Sequence, residues 1–318
     1  MDGAHRPVST IRTSRGPIAV RESPALSQHE SVRALQERIN RLTAGLGDET
    51  LAAVLPALAE VRRELARELA NWTQRHPQDD DAPWTRAKYE SLLLQVKTAM
   101  EAAKDIAPAM YKGLKTTGRT SGEMAARLLE SQVAVYSASF GQPVLLDLDT
   151  AAILAEGRSM LVPRFRASAE KYGQDMQDGI KRQLAVGFLK GESWRQMARR
   201  LSQLGTDEPQ KAHGTADMAR GLWRMTMNAA YRVARTEGMN ALNAHQQIGL
   251  EHWERTEVGA MKLWDGSQDR ACVRCRALDG KALPVREQFY DPERGYFDHP
   301  TLHPYCRCCL RPHHRDWS

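Results

Sequence analysis

The stretch DETLAAVLPALAEVRRELAREL, residues 48–69, sets the fold class. Leu51, Leu55, Leu58, Val61, Leu65 and Leu69 recur at steps of three and four, the period of one helix face. Asp48 stands where a cap belongs, and Pro56 is the one interruption. Upstream, from Ser31, Val32, Leu35, Ile39 and Leu42 repeat the pattern. A Gly-containing turn at Ala44–Gly47 then predicts two antiparallel helices.

Outward from this pair the same texture continues. Residues 1–30 have no periodicity and are expected to form a flexible arm. Gln74–Pro83 is a polar, Pro-bounded connection. A helix is expected from about Trp84 to Met110, with Tyr89, Leu92, Leu93, Val96, Met100 and Ala103 inward. The Gly, Thr and Ser cluster from Gly113 to Gly122 should break it before a helix over Glu123–Ser139. The run from Pro143 to Leu148 suits a short strand or an extended linker. Further helices are expected at 149–156, 165–188, 192–204 and 214–248, with Ser193 capping the third of these. After Gly249, short apolar runs with Trp, Gly, Asp and Pro indicate a compact mixed α/β tail. The expected fold is mainly α: a helical region over 31–179, then a helical domain over 180–312. That domain ends in a small cysteine-rich α+β lobe over 250–312, followed by a tail over 313–318.

A chain of 318 residues is long enough for roughly two domains. No apolar run reaches the ~18 residues a spanning helix needs, so no membrane role is expected. The N-terminus MDGAHRPVSTIRTSRG lacks the apolar core of a secretory signal, so synthesis in a cytosol is expected. The net charge of +6 is uneven. Residues 181–235 hold 11 Lys or Arg against 4 acids, and residues 236–318 hold 11 against 12. A basic block of this kind faces an anionic partner or solvates a helical face. Lys181, Arg182, Lys190, Arg195, Arg199 and Arg200 are the candidates for contact with nucleic acid or a partner protein.

All five cysteines fall within the last 50 residues: Cys272, Cys275, Cys306, Cys308 and Cys309. In a cytosolic chain such clustering favours metal or redox chemistry over a disulfide framework. Cys272-Val-Arg-Cys275 places two sulfurs on one knuckle, and His303-Pro-Tyr-Cys306-Arg-Cys308 returns a second cluster to complete four ligands. Thiolates suit Zn²⁺. Cys272, Cys275, Cys306 and Cys308 are the natural set, and His303 can replace either member of the second pair or steady one by a hydrogen bond. An inter-cluster disulfide and inert packed thiols are the alternatives. Cys309 is surplus, and His313 and His314 fall in what reads as a frayed polar terminus.

In order, the marks are ARTEGMNALNAHQ (234–246), MKLWDGSQDRACVRCRALDGKALP (261–284) and HPTLHPYCRC (299–308). This series resembles the phage Mu F-like minor head proteins, the head morphogenesis domain of tailed phages and prophages. The family pattern runs from an Ala-Arg-Thr-Glu helix through Lys-x-Trp and Cys-x-x-Cys to His-Pro-x-Cys-Arg-Cys. IKRQLAVGFLKGESWRQMARRL (180–201) resembles the helical entry to that domain. The resemblance implies a structural protein of the virion interior, made in the host cytoplasm. It further implies association with the portal and capsid proteins around the packaging of double-stranded DNA, with no catalytic residue. Within it, Arg235 and Glu237 are expected to bridge the helix to the cysteine-rich lobe, Trp264 to anchor the core and Asp279-Gly280 to turn. A zinc-knuckle nuclease is the alternative class, with Asp298-His299 as its one candidate start.

Overall fold

The computed structural model describes residues 10–13, 16–19, 28–76, 85–141, 146, 148–206, 214–266 and 273–317. The fold is mainly α. Its helices are α1 (Gln28–Ala44), α2 (Asp48–Arg75), α3 (Arg86–Met100), α4 (Ile106–Ser139), α5 (Thr150–Leu189), α6 (Trp194–Ser202), α7 (Thr215–Glu254) and the short α8 (Val273–Leu278). Within the expected arm, β1 (Thr10–Thr13) and β2 (Gly16–Ala19) pair antiparallel, with Thr10 opposite Ala19. Near the C-terminus β3 (Ala260–Asp265) lies between β4 (Ala282–Pro284) and β7 (Cys309–His314), and β5 (Phe289–Asp291) forms a hairpin with β6 (Gly295–Phe297).

Two compact units emerge: 1–46 with 117–162 and 235–318, and 47–116 with 163–234. They do not follow a single cut near residue 180, because α4, α5 and α7 each contribute residues to both.

In the unit containing 47–116, α2 buries Thr50, Val54, Leu58, Val61, Leu65, Leu69 and Trp72. The expected stripe is thus shifted: Leu51 is half-buried and Leu55 exposed. Steps of three and four from Leu58 allow either face, and a neighbour decides. A Cβ on Gly113 of α4 would lie 2.6 Å from the Thr50 Cα, so the two backbones touch there and Thr50 must face inward. The Trp72 ring stacks on Trp194 at 5.6 Å, and Tyr89 stacks on Phe188 at 4.8 Å.

Close contacts also account for Gly113 and Gly122 within α4. Gly113 to Gly122 does not break a helix, since α4 runs unbroken over Ile106–Ser139. Glycine is needed here for close approach, not for a turn. The break falls earlier, in a 3₁₀ turn at Glu101–Asp105. Pro108 then sits in the first turn of α4, where a missing N–H costs little. Limited trypsin digestion should therefore leave Lys115 and Arg119 intact although both side chains are exposed. Early cleavage at either, read from fragment masses, would show that α4 opens locally. Most of Gln74–Pro83 lies outside the described residues.

Likewise α5 continues through Gly157 and Pro163, where two helices were expected. A Cβ on Gly157 would sit 2.2 Å from His245 Nε2, and one on Gly122 2.8 Å from the same atom. His245 is buried between them and bonds Ala241 O through Nδ1 at 2.7 Å, and burial lowers its pKa. Ser193 caps α6 as expected, in a full capping box: its Oγ accepts from Gln196 N and its N–H donates to Gln196 Oε1. Leu146 and Leu148 are buried without strand pairing.

In the unit containing the C-terminus, α7 is buried on every side from Glu237 to Leu250. Its polar residues must therefore find partners. Trp264 is fully buried, edge-on to Phe289 at 5.1 Å. Gly280 turns with φ +75° and donates to Trp264 O at 2.9 Å. The expected frayed end is a correction too. His313 and His314 belong to β7, and buried Trp317 stacks on Phe140 at 6.0 Å. A large apolar ring four residues beyond His313 was the overlooked signal.

Candidate metal centre

The site grows from a turn. His303-Pro-Tyr-Cys306 closes by a Cys306 N–H to His303 O bond of 3.1 Å. Pro304 presets the first central position, and Tyr305 takes φ +62° at the second, as a type II turn requires. A tyrosine held there costs about 1 kcal/mol or more, so surrounding contacts must hold it. Its N–H donates to Thr236 Oγ1 of α7 at 3.3 Å. The turn brings His303 and Cys306 to one side, and Cys275 meets them from α8.

Cys275 Sγ lies 3.2 Å from His303 Nε2 and 3.9 Å from Cys306 Sγ. Two sulfurs at about 2.3 Å from a tetrahedral zinc stand about 3.8 Å apart, and a sulfur and an imidazole nitrogen about 3.6 Å. The sulfur–sulfur distance matches that spacing, and the sulfur–nitrogen distance is about 0.4 Å shorter. His303 Nδ1 contacts Pro304 O at 2.8 Å. If Nδ1 carries the proton, the Nε2 lone pair points at the sulfurs, the arrangement a metal-bound imidazole uses. Cys275, His303 and Cys306 could thus hold a metal ion.

The electrostatics are those of thiols sharing a small space. Hydrogen bonds from Cys275 and Cys308 pull the Cys306 thiol down, which favours a thiolate there. The same contact with Cys306 pushes Cys275 far up. A cation is the simplest means of holding both sulfurs deprotonated.

Of the expected ligands, Cys272 lies outside the described residues. Cys308 is buried, and its thiol hydrogen-bonds with those of Cys275 and Cys306. Its carbonyl accepts from Asn243 Nδ2 at 3.0 Å. Cys275, Cys306, Cys308 and Cys309 form no disulfide among the described residues, and burial keeps Cys309 protonated. His303, which the spacing argument held in reserve, stands among the three clustered donors.

The buried helix α7 holds this lobe through Asn243 and Gln247. Asn243 Oδ1 accepts from Leu310 N at 2.9 Å, while its Nδ2 serves Cys308 O. Gln247 Nε2 donates to Val285 O at 3.0 Å. Arg235 Nη1 donates to Ala44 O at 2.9 Å, closing the end of α1, and its charge also acts on the buried Cys309 of the lobe. That carbonyl is one of the last in its helix and needs an outside donor. Asn243→Ala would leave Leu310 N and Cys308 O unpaired in the interior. A loss of about 2–4 kcal/mol is expected, read from the urea midpoint. An unchanged midpoint would mean water replaces both bonds.

The basic candidates separate. Lys181, Arg182, Lys190, Arg195 and Arg199 are exposed. Arg200 is committed: it reaches both Glu192 oxygens at 2.9 Å and donates to Gln183 Oε1 and O at 2.9 and 2.8 Å. Its fork ties α6 to the end of α5, so it serves the fold. His299 Nδ1 contacts Pro300 O at 2.9 Å, and Gln288 Nε2 donates to Asp298 Oδ1 at 3.0 Å.

The lobe, its paired clusters and the polar helix that carries them define a domain with a cysteine-histidine centre. Residues 178–311, less than half of the chain, match the family described as Phage Mu protein F like protein. This match supports a structural role in phage head morphogenesis. No curated protein and no solved structure gave a match. No described helix is long and apolar enough to cross a membrane.

Proposed function

We propose that this protein is a minor head protein of a tailed phage or prophage. It joins the head during assembly, lies inside the virion, and contacts the portal and capsid proteins around the packaged double-stranded DNA. The match over 178–311 carries this reading, because it spans the lobe and the helix that hold the cysteine-histidine centre. The centre holds one structural Zn²⁺ through Cys275, His303 and Cys306, with Cys308 or Cys272 as fourth ligand. No observation favours the nuclease reading. Deleting the gene tests the assignment: heads should fail to assemble or to retain DNA, and the protein should copurify with heads. Normal, infectious heads without it would end the proposal.

The exposed Arg195 and Arg199 lie four apart on α6, away from buried Met197, Ala198 and Leu201. If they meet DNA, binding is sequence-independent and falls steeply with salt, because neutralised phosphates release counterions. Arg195→Glu with Arg199→Glu should weaken duplex binding about tenfold or more and flatten the salt slope by about two. Equal affinity in the double variant would leave these arginines as a solvated face only.

A further inference from the structure

Lys262 has no solvent exposure. Fully buried lysines are rare and normally face a carboxylate. Here Nζ donates to neutral oxygens, Gln247 Oε1 at 3.1 Å and Asp298 O at 2.7 Å, and lies 5.4 Å from the Phe289 ring centroid. The Gln247 amide is fixed by its other bonds: Nε2 donates to Glu251 Oε1 at 2.8 Å and to Val285 O at 3.0 Å. Those two acceptors decide which end is nitrogen, so the carbonyl faces the amine. An amine, a carboxamide carbonyl and a carboxylate on the amide nitrogen thus stand in line at the junction of β3 and α7.

We propose that Lys262 and Gln247 join in an intramolecular isopeptide bond, with Glu251 as the proton carrier. The neutral amine attacks Cδ of Gln247, forming the Nζ–Cδ bond and moving the carbonyl pair onto Oε1. The Glu251 carboxylate takes a proton from Nζ and gives it to Nε2. The carbonyl re-forms, the Cδ–Nε2 bond breaks and ammonia leaves. One amide replaces another, so no oxidant, reductant or further reactant is needed. Burial lowers the Lys262 pKa to about 8, against the upward pull of Asp298, Glu251, Glu254 and Glu287, which leaves a fraction of neutral amine near physiological pH. The amide torsion of glutamine is soft, so a modest rotation presents Cδ to an amine already in contact with its oxygen. Fixed proximity of this kind replaces an encounter in solution. The bond would fasten β3, the central strand of its sheet, to the buried helix α7. It stands independently of the metal and of the role in head assembly.

Intact mass spectrometry of the full-length purified chain decides the matter. The mass should fall below that of the sequence by one ammonia, about 17 Da. Proteolysis should release a branched peptide joining the segments around Gln247 and Lys262, sequenced by fragmentation. K262R should restore the full mass, and E251Q should leave most of the chain unlinked. A mass equal to that of the sequence would overturn the proposal. So would a deficit that persists in K262R, or linear peptides carrying unmodified Gln247 and Lys262. The wild-type branched peptide answers the question even where a variant fails to fold.

Discussion

Protein purified without chelator should carry about one equivalent of zinc per chain, and Cys275→Ser should abolish it. The Cys275, His303 and Cys306 donor atoms already stand within 4.8 Å of one another, so binding needs little rearrangement. The lobe has few other staples: its strands are three to six residues long, and its cysteines make no disulfide among the described residues. Apparent binding energies of structural zinc sites reach about 10–16 kcal/mol near neutral pH, far above the worth of any one hydrogen bond here. Metal loss should thus loosen the lobe selectively, seen as faster amide exchange in β3, β4 and β7 with α2 and α3 unchanged. The sign with pH follows from the thiols. Cys275 is held protonated without metal, so zinc must displace its proton, and affinity rises with pH and fails in acid. Zero zinc in a folded protein, with Cys275→Ser as stable as the wild type, would remove the metal from the account.

Helix content was legible because the apolar period is strong, as in α2. What the period could not supply was the reason for each glycine. Gly113, Gly122 and Gly157 sit inside helices because another segment touches the backbone there, and a sequence shows no such neighbour. The same holds for the inward face of α2, which its own stripe left between Thr50 and Leu51. At the candidate site the paired clusters were legible, since Cys-x-x-Cys and His-Pro-x-Cys-x-Cys are local. The prominence of His303 was not, because it depends on the left-handed Tyr305 and on the Pro304 carbonyl. Lys262 had a signal that was overlooked. It shares strand parity with Trp264, so a buried Trp264 implies a buried Lys262. The arginines show the converse limit: spacing put Arg195, Arg199 and Arg200 together, but Arg200 is drawn into a half-buried pair with Glu192.

Gly221→Ala should destabilise the protein by about 3 kcal/mol or more, although alanine is the better helix former by about 1 kcal/mol. The two effects oppose each other, and geometry decides between them. A Cβ on Gly221 would lie 1.8 Å from Leu201 O, 2.9 Å from Leu201 C and 3.1 Å from Ser202 Cα. These are backbone atoms, so no side chain can swing aside. The end of α6 cannot retreat cheaply either. Its start is fixed by the Ser193 capping box, and Arg200 ties it to Glu192 and Gln183. Arg224, one turn beyond Gly221 in α7, donates to Ser202 O and to Leu204 O, the latter at 3.1 Å. Moving α6 away from α7 would stretch these bonds together. Gly173→Ala in α5 is the matched control, because its nearest neighbour would be Ala107 Cβ at an ordinary 3.4 Å. There the helix-propensity gain should stand alone and raise stability by about 0.5–1 kcal/mol. Urea midpoints of the two variants should therefore move in opposite directions. If both moved upward, α6 and α7 would not be in backbone contact at Gly221, and the packing that sets α6 against α7 would have to be redrawn.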